Sequence, residues 1–327
     1  MGKVIHKTKI KVYTLINRLL NSLGYQLISK NTSIQLQKYV FNLLESVKDD
    51  NNEIASVVFS KDRAMQLHAF LSSYIKMVNN RKKMYILYKA TTERHKKSYE
   101  QIKDIFSDKN FFFVEETEFK NQLIEICESA DVGKIIFYVD DMIFTHSVDY
   151  AEYEEINTNK FVLALSRGKD LDYSMVLNKP LKLPAFSNEG NSLLSFSWNN
   201  SNEWSDWTFP LGVSGYMFGK KEIVSILKSI SFKAPNSLEC SMQIFRPYFM
   251  NRYGLCTEFA ACACVHANLV QVETKNPTLE TYSIDELLKL WEEGERINLS
   301  DFYGKPVMVA QTLKYSFISS AITDSVV

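Results

Sequence analysis

Two adjacent carboxylates, Asp140 and Asp141, close the run Lys134-Ile135-Ile136-Phe137-Tyr138-Val139. An unbroken apolar run from Ile135 to Val139 suits a strand covered on both faces, as in a parallel sheet. In such sheets ligands bind beyond the carboxyl ends of the strands. Side-by-side carboxylates repel unless a cation or bound water offsets their charge. A divalent cation carrying a phosphorylated ligand would do so, because Mg²⁺ and Mn²⁺ take oxygen ligands and keep phosphates in their shell. The same pair also reads as a solvated strand-to-loop turn, where Asp is common. The pair alone does not choose between them.

Three further segments carry residues suited to chemistry. Phe59 to Leu67 follows the first apolar run and contains Ser60, Asp62 and Arg63. Ser60 and Asp62 can cap the helix that follows, whose N-terminus favours an anion. Arg63 is poorly placed for the helix dipole, which fits a residue facing phosphate or a base, or one paired with Asp62. Trp204 to Tyr216 combines aromatic rings, Asp206 and the glycines Gly212 and Gly215. Rings beside acceptor groups suit the apolar faces and hydroxyl edges of sugars, although an ordinary hydrophobic loop has the same composition. In Ala234 to Glu239, Asn236 has the form of an N-cap with Glu239 three residues on, a capping pattern. The Glu239 carboxylate also suits a general base. Cys262, Cys264 and His266 would share one face of a strand, but their spacing is not that of a usual zinc site.

The elements that must hold these residues alternate. Ile54–Phe59, Met84–Tyr88, Phe111–Val114 and Ile135–Val139 read as strands, with helices at 64–78, 93–106 and 118–130. That order predicts a parallel sheet with helices on both faces. No Gly-x-Gly-x-x-Gly turn accompanies it, which argues against the usual dinucleotide fold. Later, 161–165 and 193–198 read as strands, and 220–229 and 237–251 as helices. Ser283-Ile284-Asp285-Glu286 has capping-box form and opens a helix that Gly294 can close. Residues 10–23 and 33–47 have helical spacing, and the polar run Asp49-Asp50-Asn51-Asn52 marks a boundary after them.

The 38 Lys and Arg balance the 38 Asp and Glu, so no global basic field suited to nucleic acid exists. Locally the balance fails: Met1 to Leu44 holds Lys3, Lys7, Lys9, Lys11, Arg18, Lys30 and Lys38 and no acidic residue. A cationic helix with an apolar stripe suits an anionic membrane surface, and equally an ordinary docked helix. The five cysteines are odd in number and clustered late, unlike a secreted disulfide framework. No apolar run is long enough to span a bilayer, and the interrupted start lacks signal-peptide form. A cytoplasmic protein is expected, peripheral on the inner membrane face through residues 1–30.

Taken in order, Ser60-Lys61-Asp62-Arg63 with Gln66-Leu67, Val139-Asp140-Asp141, Ala164-Leu165-Ser166-Arg167-Gly168, Leu211 to Tyr216, and Pro235 to Glu239 resemble bacterial GT-A-fold nucleotide-sugar glycosyltransferases of surface-polysaccharide synthesis. The likeness spans roughly residues 54 to 275. It implies a GT-A-like, Rossmann-related mixed and mainly parallel sheet flanked by helices. The expected organisation is a basic helical arm (1–50), a catalytic domain (51–275) and a C-terminal helical extension (276–327). It implies transfer of a sugar from a nucleoside-diphosphate donor to a saccharide or lipid-linked hydroxyl, with inversion and a Mn²⁺ or Mg²⁺ cofactor. Asp141 and Asp140 would bind the metal, with His266 standing in for a histidine that many members place later. Ser60, Asp62, Arg63, Gln66, Asp140 and Arg167 would hold the nucleotide. Asp206, Trp207, Ser214 and Gly215 would hold donor or acceptor sugar, and Glu239 would be the base. The alternatives are a nucleotidyltransferase making nucleotide sugars, against which Phe59 to Leu67 lacks a glycine, and an inactive binding protein of the same fold.

Overall fold

The computed structural model describes residues 51–174, 177–201, 203–265, 282–305 and 316–323, with single positions between 16 and 38. The chain divides into two compact units, Met1–Ser46 and Val47–Val327. In the first, the described positions 16, 19, 20, 31, 32, 34–36 and 38 are helical, within or beside the two expected helices.

The second unit opens as the alternation requires. Strand β1 (Ile54–Lys61) leads through helix α1 (Ala64–Met77) to β2 (Lys83–Lys89), then α2 (Glu93–Ile105) and β3 (Phe111–Glu115). Helix α3 (Phe119–Ser129) carries the chain back to β4 (Lys134–Val139), on the other side of β1. The pairs β1–β2, β2–β3 and β1–β4 are all parallel. Right-handed crossovers put α1 and α2 on one face and, because the winding reverses, α3 on the other. The reversal falls between β1 and β4, the topological switch point where doubly wound sheets bind ligands.

Beyond β4 the sheet becomes mixed. After the short β5 (Met142–Phe144) come β6 (Phe161–Ala164), β7 (Ser187–Gly190), β8 (Leu193–Ser197) and β9 (Tyr216–Gly219). Helices α4 (Lys220–Ser229) and α5 (Pro235–Met242) precede β10 (Tyr253–Thr257) and β11 (Cys262–Cys264). Among the described residues the main sheet is nine-stranded, in the order β7-β8-β10-β6-β9-β4-β1-β2-β3. Strand β9 runs antiparallel to both β4 and β6, β6 and β10 are parallel, and β8 is antiparallel to β7 and β10. Every strand but β8 and β9 therefore points the same way. β5 turns out of the sheet and pairs with β11.

The expected helix over 237–251 is shorter. It begins at Pro235 and gives way to a 3₁₀ turn at Gln243–Phe245, before Pro247 starts a fresh turn. Pro247 has no amide hydrogen to give the carbonyl four residues back, which fits the interruption of the helix there. Helix α6 (Ile284–Glu292) has the expected capping box: the Glu286 amide donates to Ser283 Oγ and the Ser283 amide to Glu286 Oε2. It packs on α1 and α2. Trp291 Nε1 donates to Gln101 Oε1 at 2.6 Å, and its ring meets His68 edge-on.

Candidate active site

Strand direction decides which motifs meet. The carboxyl ends of β1, β4 and β6 open at one edge of the sheet, and β9, running the other way, begins there. The segments around Arg63, Asp140, Arg167 and Gly215 therefore lie on neighbouring strand ends.

At the switch point the Asp140 amide donates to the Phe59 carbonyl at 3.0 Å, locking the ends of β1 and β4 together. One guanidinium nitrogen of Arg63 lies 3.1 Å from Asp140 Oδ1 and 3.0 Å from Asp141 Oδ2. Asp140 Oδ2 accepts the Lys61 amide. Burial pushes the Asp140 carboxyl above the usual range, and the Asp141 charge adds to this while Arg63 opposes it. Asp62, the alternative partner for Arg63, is engaged elsewhere. Asp62, with its backbone at φ 54°, accepts the Thr91 amide and hydroxyl at 2.7 and 2.8 Å.

Neither Ser60 nor Asp62 acts as the N-cap of α1. Arg63 occupies that position without a side-chain cap, and the first turn holds no acidic residue. Ser60 Oγ instead meets the Tyr99 hydroxyl at 2.6 Å, and the Arg63 amide donates to the same phenol oxygen at 3.2 Å. Gln66 is buried one turn along α1. A helix N-terminus without a side-chain cap, beside a cationic side chain, favours phosphate.

Three residues beyond β6, Arg167 is buried. Its Nε donates to the Asp206 carbonyl at 3.1 Å, its Nη2 lies 3.8 Å from Asp206 Oδ1, and its guanidinium stands over the Tyr216 ring. Asp206 Oδ2 is buried with no hydrogen-bond partner among the described residues, a lone acceptor at the rim of the site. Trp207 is almost fully buried against Phe186 and Phe196, with Nε1 donating to the Leu171 carbonyl. It supports the loop from beneath, and the exposed indole of this segment is Trp204.

The glycine loop is stitched between the strand ends. Gly215 donates to the Phe137 carbonyl and accepts the Leu165 amide, both at 2.8 Å, while Ser166 Oγ donates to the Ser214 carbonyl at 3.0 Å. Gly215 has φ +79°, a conformation open to glycine. Gly168, one residue past Arg167, is tighter: a Cβ there would sit 2.1 Å from the Ala260 amide nitrogen and 2.5 Å from the Phe259 carbonyl carbon. Because both are backbone atoms, Gly168→Ala is expected to cost roughly 2–4 kcal/mol and lower the melting temperature by about 3–7 °C in a thermal scan.

Glu239 does not cap α5. The N-cap of α5 is Ala234, not Asn236, and the capping side chain is Ser237, whose Oγ accepts the Lys233 and Ala234 amides at 3.0 Å. Glu239 instead reaches across to the glycine loop and accepts the Val213 amide at 3.2 Å. Gln243, one turn on, ties α5 to the Leu211 carbonyl at 2.7 Å. Burial raises the Glu239 carboxyl to about 7, against the opposing effects of the Val213 amide and Arg167.

His266 lies outside the described residues. Cys256, Cys262 and Cys264 are buried free thiols. Burial, with the Asp141 charge adding to it, holds the Cys264 thiol well above its ordinary range. No cluster of three metal-ligating side chains occurs among the described residues. The Asp pair nevertheless fits a hard divalent cation. Its donors are oxygens, a cationic nitrogen already rests between them, and Mg²⁺-type sites commonly use one or two carboxylates with phosphate and water completing the shell.

Tyr99 and Thr91 escaped the sequence reading. Tyr99 lies within α2, where its spacing marks only a core position. Its role as the hub for Ser60 and Arg63 exists only once α2 packs beside β1.

No family model matches the chain. It is similar to the bifunctional glycosyltransferase pgtA of Dictyostelium discoideum, 26% identical over 284 residues, which cover 77% of this chain and 37% of that protein. The chain thus spans a little over a third of the length of this curated relative. Among solved structures, S. aureus TarS 1–349 aligns with a TM-score of 0.40 at 9% identity, over 66% of this chain and 61% of that one.

Proposed function

We propose that this chain is an inverting glycosyltransferase of GT-A type, moving a sugar from a nucleoside-diphosphate donor to a hydroxyl of a saccharide or lipid-linked acceptor. The observation that carries the reading is the convergence at one sheet edge of three features. These are the Asp140–Asp141 pair with its cation, Arg167 clamped to Asp206, and Glu239 held on the Val213 amide. Similarity to a protein named as a glycosyltransferase supports the reaction class. A role in bacterial surface-polysaccharide synthesis rests on the motif resemblance alone.

The diphosphate would lie at the switch point, against the N-terminus of α1. A Mn²⁺ or Mg²⁺ ion held by Asp141 and Asp140 would supply Lewis-acid neutralisation of the leaving diphosphate. Arg167 and Asp206 would orient the donor sugar, with the lone Asp206 oxygen accepting a hydroxyl. Glu239 would take the proton of the acceptor hydroxyl as its oxygen bonds to the anomeric carbon. The bond from that carbon to the phosphate oxygen then breaks, and the nucleoside diphosphate departs.

The N-terminal unit would bring the enzyme to an anionic membrane surface. Helical Ile16 and Leu19 expose their side chains there. No described helix is long and apolar enough to cross a membrane.

The test is a thermal-shift screen with UDP, GDP and dTDP, with and without Mn²⁺, followed by product analysis using the matching nucleotide sugars. Metal-dependent stabilisation by a nucleoside diphosphate, with glycoside formed at inverted anomeric configuration, is expected. Synthesis of nucleotide sugar from sugar phosphate, or nucleotide binding indifferent to metal, would overturn the reading.

A further inference from the structure

We propose that Arg63 is a resident counter-cation, which holds the metal site closed in the free enzyme and passes to the donor diphosphate when metal and nucleotide enter together. The inference rests on the metal-and-diphosphate reading above and adds to it the order and coupling of binding. Its basis is the geometry at the switch point. A single Arg63 nitrogen bridges both carboxylates at 3.1 and 3.0 Å, and all three side chains are nearly buried. Two positive centres cannot share that position, because at such separations in a poorly solvated site their repulsion is large. A metal ion entering alone must displace the guanidinium from both carboxylates.

The displaced group has a destination. Arg63 is the N-cap residue of α1, and its backbone is pinned by its amide to the Tyr99 hydroxyl at 3.2 Å. Its Cα therefore stays in place while the long side chain turns. The nearest favourable anion position is the helix N-terminus at which it stands. A planar guanidinium also pairs bidentately with phosphate. Nucleotide thus removes the competitor for the metal position, and metal in turn releases the arginine for the nucleotide. By linkage the two bind with mutual positive coupling.

Titration of the full chain with Mn²⁺ alone, at pH 8, tests this directly by electron paramagnetic resonance of free Mn²⁺. In the wild type, Mn²⁺ alone binds weakly, and whichever of UDP, GDP or dTDP binds tightens it by about tenfold or more. In Arg63→Gln, Mn²⁺ alone binds about tenfold tighter than in the wild type, the nucleotide binds about tenfold weaker, and the coupling collapses. Arg63→Lys keeps a cation without the fork, so its affinity for Mn²⁺ alone stays weak while the nucleotide is lost.

A merely structural arginine would lower both affinities together or change neither, and either result in Arg63→Gln overturns the proposal. Should that variant not fold, the Arg63 Nε–H resonance of the wild type decides instead. It shifts on adding Mg²⁺ with nucleotide and stays put with Mg²⁺ alone; a resonance unmoved by both refutes the transfer. Failure of the wild type to bind any nucleotide with metal removes the functional reading and this inference with it. Tight metal-nucleotide binding with an unaltered Mn²⁺ affinity in Arg63→Gln removes only this one.

Discussion

Glu239→Gln is expected to lower the transfer rate by about 10²–10⁴-fold, the usual contribution of a positioned general base. The amide keeps an oxygen to accept the Val213 N–H, so α5 and the glycine loop stay joined and the loss reports on the base. Burial places the carboxyl at about 7. The base form therefore accumulates as pH rises, and kcat/KM of the wild type climbs and levels off above about 7. The residual rate of the variant lacks that limb.

Stability moves the opposite way. Between its ordinary 4.5 and about 7 the folded chain keeps a proton that the unfolded chain has released, so this residue makes the fold less stable as pH rises through that window. Glu239→Gln removes the penalty. It is expected to be more stable than the wild type at pH 8 by about 1–3 kcal/mol, and equal to it below pH 4.5. Denaturant unfolding at the two pH values reads this difference. Full activity in the variant, or a flat pH profile in the wild type, would remove Glu239 from the mechanism.

The second large effect is expected at Asp141. Asp141→Ala should abolish Mn²⁺-stimulated transfer, a loss of about 10³-fold or more, since the charge stabilisation a metal gives a leaving phosphate amounts to several kcal/mol. The fold is expected to survive, because Arg63 retains its contact with Asp140 and that residue keeps the Lys61 amide. Circular dichroism confirms folding, and rates measured across a Mn²⁺ titration give the answer. An Asp141→Ala enzyme still stimulated by Mn²⁺ to wild-type rates would refute the metal assignment.

The parts of the fold legible in the sequence are those built from local pattern. Strands β1 to β4 and helices α1 to α3 are long enough for apolar periodicity to show, and their alternation dictates a parallel sheet. The α6 capping box depends on four consecutive residues and forms as read. What escaped includes β7, β10 and β9, the last being four residues between the glycine loop and the helix at 220–229 that had no element assigned. Its short run has no period of its own, and it becomes a strand because β4 and β6 offer edges on either side.

Within the candidate site the same division holds. Residue type and position exposed Asp140 and Asp141 at a strand end and Glu239 at a helix start as candidates for chemistry, whereas Arg167 was marked only by the family resemblance. Which partner each takes was beyond local reading. Asp62 and Arg63 are adjacent yet bond to Thr91 and to the Asp pair, and Glu239 bonds to a loop 26 residues earlier. Periodicity and composition determined the alternating strands and helices from β1 to β4 and the paired carboxylates of this protein. Only the folded sheet, through its strand order and the direction of β9, decided which of them meet, since hydrogen bonds and charge pairs depend on distance in space and chain neighbours carry no record of it.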